Sequence, residues 1–461
     1  MSSTSLLRRL HPFELVRSVR HWFDGLNDTR RSWERPRSNS LRFACGGIGQ
    51  LPLEAVHMDW KPIVAVVAIL VILGGVYYIY SGREKGPESV RIGVVLPLST
   101  ASFASAGQEC YRGMQMAVEE INANGGVLGK PIELVVKDDK GDPNTAITVA
   151  TDLITNEQVP IIVGFYSSTV TYATMNAIKQ YEPIVFVMGA SSVKVESLVG
   201  NERWFFHMHP WDYHRQGTVI DYFLHYINPT PQKIFVAYED GVYGSTSYSY
   251  FVNMSREVGA PWDIKGEPFK SGSSDFSAII LKAKDYDPDV FYIVGYPADY
   301  PVFFRNAKEN DFNPKLIFIV APEFPEYPKD IGDYVAGVDV WSPYLDIPQA
   351  KDFVAKFQSQ YGRLPEYWAP FCYTAIKMVA QGIENAGSLD REALISGLES
   401  VQMDSPLGPV SFKQTGNTLH QVVDKLYVVQ WQGGTVVILY PDEFKTGELI
   451  YPVPTWAESG G

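Results

Sequence analysis

Residues Arg91–Asp142, RIGVVLPLSTASFASAGQECYRGMQMAVEEINANGGVLGKPIELVVKDDKGD, read as one strand, loop, helix, turn and strand in succession. That order restricts the chain to α/β folds built on a parallel sheet. Ile92–Leu96 is a short apolar run that Pro97 stops before a loop of Ser, Thr, Ala and Gly. From Gln108 onward, Met114, Ala117, Val118 and Ile121 recur at helical spacing and form one apolar face, with Glu119 and Glu120 turned to water. Asn124, Gly125 and Gly126 end the helix, because glycine accepts the left-handed conformation needed at a helix C-terminus. Ile132–Val136 is the second strand, and a parallel pair joined through a helix crosses over right-handed.

The alternation continues. Helices are expected over Asn144–Glu157 and Thr169–Tyr181, with buried strands at Ile161–Val163 and Ile184–Val187. It restarts beyond Pro210, with strands at Ile234–Tyr238, Val290–Val294 and Leu316–Val320 and helices over Ser245–Val258 and Tyr300–Asn310. Val338–Trp341 then leads into helices over Asp352–Tyr361 and Trp368–Ala386, and strands follow at Lys425–Gln430 and Thr435–Leu439. With 461 residues, 46% of them hydrophobic, the chain exceeds one ordinary core, and two α/β lobes are expected.

The N-terminal part is different. Pro62–Tyr80 carries no charge, and at the helical rise it extends about 28 Å, close to the hydrocarbon thickness of a bilayer. A cleaved signal peptide would have a shorter apolar region and a small-x-small site, whereas Tyr77, Tyr78, Ile79 and Tyr80 suit the interfacial belt of a spanning helix. The expected division is a tail over residues 1–57, disordered or preceding a true start at Met58, an anchor over 58–82, a tether over 83–89 and a ligand-binding domain over 90–461.

Charge narrows the function. Met1–Lys61 holds 10 Lys or Arg against 6 acids, which leaves 29 against 46 for the remainder of a chain whose net charge is -13. Nucleic acid is excluded as a partner of the acidic part, since a phosphate backbone needs a basic stripe that is absent there. Arg-rich sequence before the span places the N-terminus in the cytoplasm and the large domain outside. Cys45, Cys110 and Cys372 lack metal-ligand spacing, and Cys110 and Cys372 read as buried thiols, with a single bridge left open. The stretch GGVLGK at Gly125–Lys130 is one residue short of a phosphate loop and Pro131 replaces the required hydroxyl, so it is a turn. No nucleophile elbow or metalloprotease motif occurs, and His207, His209 and His214 are read as packing residues rather than metal ligands. Neither an enzyme nor a cofactor is expected.

GVVLPLS followed by AVEEINANGGVLGKPIELVVKDDKGDP resembles the solute-binding proteins of branched-chain amino acid and amide ABC transporters, which have the type I periplasmic-binding-protein fold. The resemblance runs from about Val90 to about Pro454. It implies two doubly wound α/β lobes joined by a hinge of three crossovers, with lobe 1 over about 90–209 and 342–400 and lobe 2 over about 210–341 and 401–461. It also implies an extracytoplasmic receptor that delivers a small amino acid or amide, a branched-chain amino acid above all, to permease and ATPase subunits. A ligand-sensing ectodomain of a signalling system is the alternative.

In open α/β sheets ligands sit beyond the carboxyl ends of the strands, near helix N-termini. Ser168 opens a helix there, and position alone makes it a cap, whereas the resemblance makes it a contact for the ligand carboxylate. Ala190 and Ser191 follow the next strand; they form a tight turn or, by resemblance, hold the substituents on the ligand's α-carbon. By resemblance Tyr243 in EDGVYG closes over the ligand, and Glu323 in VAPEF takes its ammonium. Tyr166, Tyr296 and Trp368 are candidate pocket walls. Phe103 is the candidate substitute for an aromatic that many relatives carry where this chain has Ala106.

Overall fold

A computed structural model describes residues 89–323 and 333–458, together with Val71. The expected tail, anchor and nearly all of the tether lie outside the described residues. Among the described residues no helix is long and apolar enough to cross a membrane.

The strands in chain order are β1 (Val90–Leu96), β2 (Ile132–Asp138), β3 (Ile162–Gly164), β4 (Val185–Val187), β5 (Phe205–His207), β6 (Lys233–Glu239), β7 (Asp263–Phe269) and β8 (Val290–Val294). They continue as β9 (Leu316–Val320), β10 (Ala336–Asp339), β11 (Gln402–Ser405), β12 (Gly408–Ser411), β13 (Lys413–Thr415), β14 (Thr418–Gln421), β15 (Tyr427–Gln432) and β16 (Thr435–Tyr440). One seven-stranded sheet has the order β13-β14-β5-β4-β3-β1-β2 and a second has the order β16-β15-β10-β9-β8-β6-β7, each the centre of one lobe. Helices cover both faces of these sheets, so central strands such as IVG in β3 and VFV in β4 are unbroken apolar runs rather than alternating ones.

The chain passes between the lobes three times, after β5, β10 and β14. The sequence places all of 401–461 in lobe 2, yet β13 and β14 belong to the first sheet, where Gln421 pairs with His207. The side chains add to this register, since His207 Nδ1 lies 2.9 Å from Gln421 Oε1. These strands are short and mostly polar, so periodicity gives no sign of which sheet they complete.

Other differences have similar causes. The first helix starts at Ala104, one turn earlier than its apolar face suggests. β7 was not anticipated: it is an edge strand, half exposed, with Gly266 and Pro268 within it. Nor was the helix Asp212–His225, because its first turns bury Asp212, Arg215 and Gln216 instead of an apolar stripe.

The helices Ala104–Ala123 and Trp368–Ala386 are the closest-packed pair of lobe 1. A Cβ at Gly113 would stand 2.0 Å from the Ala369 carbonyl oxygen, so only glycine allows the two backbones to meet there. One turn away Cys110 and Cys372 form a disulfide with their Cα atoms 5.2 Å apart. Of the two states that the sequence left open, buried thiols and a single bridge, the structure has the bridge: the residues are 262 apart in sequence, and only the helix contact brings them within bridging distance. Beside them the buried Glu109 accepts from Arg112 Nη1 (2.9 Å), from Arg363 and from the Glu366 amide (3.0 Å).

Candidate functional site

The carboxyl ends of both sheets face one cleft. Its walls are the loops after β3, β4, β6, β8 and β9, the crossing segment after β5 with the helix Asp212–His225 that follows it, and the start of the helix Trp368–Ala386. Three of these loops leave their strands through left-handed residues other than glycine: Phe165 (φ 63°), Ala190 (φ 61°) and Ala321 (φ 53°). Such residues cost on the order of 1 kcal/mol or more each and cluster at ligand clamps. Here they turn the loops sharply enough to aim Tyr166, Ser191 and Ala321 at the same space.

Seven of the nine residues expected from sequence line the cleft: Tyr166, Ser168, Ala190, Ser191, Tyr243, Tyr296 and Trp368. Phe103 stands one ring behind, with its centroid 4.8 Å from Tyr296 and 5.6 Å from Tyr166. Glu323 does not line the cleft, although Val320 and Ala321 just before it do. Its Oε2 accepts from the Ser342 hydroxyl at 3.0 Å, while Oε1 has no hydrogen-bond partner among the described residues. Asp339 beside it is buried, whereas Glu323 is only partly so; Asp339 Oδ1 is held by the Val340 amide (2.7 Å) and Oδ2 has no hydrogen-bond partner among the described residues. Burial, and then the partner's charge, push the Glu323 carboxyl well above the ordinary carboxylate range. Burial likewise pushes Asp339 up, against the amides that hold its charged form.

The Ser168 hydroxyl does not cap its helix, since the capping position falls on Ser167. It accepts from the Ser192 amide at 3.3 Å, which leaves its own proton available to the cleft. Ser191 Oγ accepts from Arg215 Nη1 at 3.2 Å. Arg215 is only 2% exposed, yet this is the one hydrogen bond its guanidinium makes among the described residues. The nearest acid is Asp212, with Oδ1 3.9 Å from Arg215 Nη1. Both oxygens of that carboxylate are already engaged, by the hydroxyls of Ser247 (2.5 Å) and Thr246 (2.6 Å). Burial raises Asp212 to about 6 in spite of Arg215 and these donors. The Tyr243 ring covers the guanidinium, with Cζ 5.4 Å from the ring centroid.

Aromatic side chains close the rest. Tyr243 lies 5.3 Å from Tyr296, Tyr296 5.7 Å from Tyr166, and Tyr166 4.9 Å from Trp368, so one series of rings runs from lobe 2 to lobe 1. Tyr367 packs 4.5 Å from Trp368 and His209 5.6 Å from it. The Trp368 indole is buried, and its Nε1 has no hydrogen-bond partner among the described residues. Burial, with the charge of Arg215 second, holds His209 well below its usual range, so it is neutral. Its Nδ1 lies 3.2 Å from the Pro210 carbonyl, which makes that nitrogen the protonated one.

The lobes also touch directly. The Val242 amide of lobe 2 donates to Thr169 Oγ1 of lobe 1 at 3.1 Å, and Thr246 Oγ1 lies 2.9 Å from Ser192 Oγ. Arg215 and Tyr367 were not singled out from sequence, and His209 was read there as a packing residue, whereas it lines the cleft. The only available signal for Arg215 was its place in WDYHRQG, a stretch where a helix begins without an apolar stripe. His207 of the neighbouring histidine series is buried, stacks 3.7 Å from Trp211 and is held near 4 by burial. Among the described residues no cluster of metal-ligating side chains occurs.

The sequence profile of the periplasmic binding protein family matches residues 89–435. A Leu/Ile/Val-binding protein homologue of Brucella abortus is 25% identical over 390 residues, covering 81% of this chain and 96% of its own length. The crystal structure of a leucine-binding protein from Thermotoga maritima superposes with a TM-score of 0.68 at 24% identity, over 77% of this chain and 99% of that one. A solute-binding protein from R. palustris in complex with benzoate gives 0.66 at 19% identity, over 77% and 99%.

Proposed function

The chain belongs to the periplasmic binding protein family, and from that premise we propose that it is the solute receptor of an ABC importer, taking a small carboxylate between its two lobes. The observation that carries this reading is Arg215, a buried cation in the cleft whose fork is mostly unused. A buried charge is tolerated when it is paired, and here the pairing is incomplete until a carboxylate arrives. The Ser168 hydroxyl, at the start of its helix, faces the same space from lobe 1. A ligand that touches Arg215 and Tyr243 in lobe 2 and Ser168 in lobe 1 binds the closed arrangement better than the open one, which is the condition for ligand-driven closure. The solute leaves unchanged: the role of these groups is to hold it, and catalysis has no part.

A second reading, an α-amino acid, is supported by the name of the Brucella relative and by the acids Glu323 and Asp339, each with an oxygen that has no partner among the described residues. It requires an ammonium to reach past Val320 and Ala321 to those oxygens.

Deletion of the gene is expected to abolish energised uptake of the bound solute in cells that keep the matching permease and ATPase. Unchanged uptake would contradict the receptor role. The uncharged span Pro62–Tyr80 is the proposed anchor that keeps the lobes outside the membrane. Its attachment is hydrophobic and unscreened by salt, so membranes washed at high ionic strength should retain the intact chain. Release into the wash would show that the attachment is electrostatic.

A further inference from the structure

We infer that the solute is a carboxylate with a flat aromatic body and no ammonium group. The inference rests on the receptor reading above and narrows it to a ligand class. Its first support is the charge of the cleft: Arg215 lines it, His209 is neutral, and no acid is among the described lining residues. An amino acid zwitterion whose carboxylate paired with Arg215 would leave its ammonium in the cleft with no carboxylate among the described lining residues to meet it. Neither Glu323 nor Asp339 lines the cleft to offset this.

The second support is an orphaned donor. Trp368 is 4% exposed and its Nε1–H has no partner among the described residues, although Trp368 forms part of the cleft wall. A buried indole N–H ordinarily finds an acceptor. On the cleft wall itself, Arg215 and the Ser168 hydroxyl are donors, as suits an anion.

The third support is shape. Tyr166, Tyr243, Tyr296 and Trp368 present rings to one narrow space, and flat faces of this kind are matched by a ring stacked or set edge-on among them. The structural alternative for Arg215, an internal ion pair with Asp212, is weak, because that contact is 3.9 Å long and both Asp212 oxygens already accept from hydroxyls.

The test is calorimetric titration of the full chain in detergent with benzoate, benzamide, L-phenylalanine and L-leucine. Benzoate is expected to bind, with benzamide and both amino acids at least about thirtyfold weaker. Leucine or phenylalanine binding as tightly as benzoate would overturn the aromatic, ammonium-free ligand and leave the receptor role standing. Failure of all four would overturn the inference; if a wider set of small organic acids and amino acids also failed, the receptor reading would fall with it. Trp368→Phe keeps a ring and removes the N–H, so benzoate affinity should drop about tenfold while the unfolding temperature stays within a degree or two of the wild type. Unaltered affinity in that variant would remove the orphaned donor from the argument.

Discussion

Arg215→Met should lose most of the affinity for a carboxylate, by about 2 to 5 kcal/mol, or roughly thirtyfold to several thousandfold. The reasoning starts from burial: at 2% exposure the guanidinium has given up water, and one hydrogen bond to Ser191 and a 3.9 Å approach to Asp212 do not replace it. A ligand carboxylate supplies the missing charge and accepts from the unused N–H groups, and methionine offers neither. The fold should survive the change, because Asp212 keeps the Thr246 and Ser247 hydroxyls and methionine fills a similar volume among aromatic side chains. Arg215→Lys should lie between, keeping the charge without the planar fork. Calorimetry with benzoate decides the matter, and a loss of less than threefold in Arg215→Met would detach the carboxylate from Arg215.

The second large effect concerns stability. Reduction of Cys110–Cys372, or the double change Cys110→Ala with Cys372→Ala, should cost about 2 to 4 kcal/mol in urea unfolding. The bridge joins residues 262 apart, so in the unfolded chain it closes a very long loop and removes much of its conformational freedom. Both cysteines are buried at the contact of two helices that already meet backbone to backbone at Gly113, so the folded state is held in place by packing as well. Reductant should therefore destabilise the wild type and leave the double variant unaffected. A wild type whose midpoint is the same with and without reductant would show that the thiols are not bridged.

What could be read in the sequence follows from where the apolar residues are. The strands β1, β6, β8 and β9 are unbroken hydrophobic runs because both their faces are covered, and each was located to within a few residues. The loops beyond β3 and β4 carried Tyr166, Ser168, Ala190 and Ser191 to the cleft because the parallel sheet dictates which strand ends face a ligand. Arg215 escaped notice because its helix buries polar groups against other polar groups, a pattern with no hydrophobic period. His209 is contributed by the crossing after β5 and Tyr367 by the turn that precedes the helix Trp368–Ala386, and their convergence on Trp368 depends on the packing of segments more than 150 residues apart, which local pattern does not encode. Glu323 illustrates the opposite case. Its position at a strand end was legible, but whether its side chain turns to the cleft or to Ser342 and Asp339 is decided by tertiary packing.

The most direct test is a crystal structure of the chain with the tightest-binding carboxylate. The account predicts the ligand between the two lobes, with a carboxylate oxygen about 2.7 to 3.2 Å from a guanidinium nitrogen of Arg215 and its body between the rings of Tyr166 and Tyr243. A ligand bound in the cleft with its carboxylate turned away from Arg215, or bound outside the cleft altogether, would contradict it.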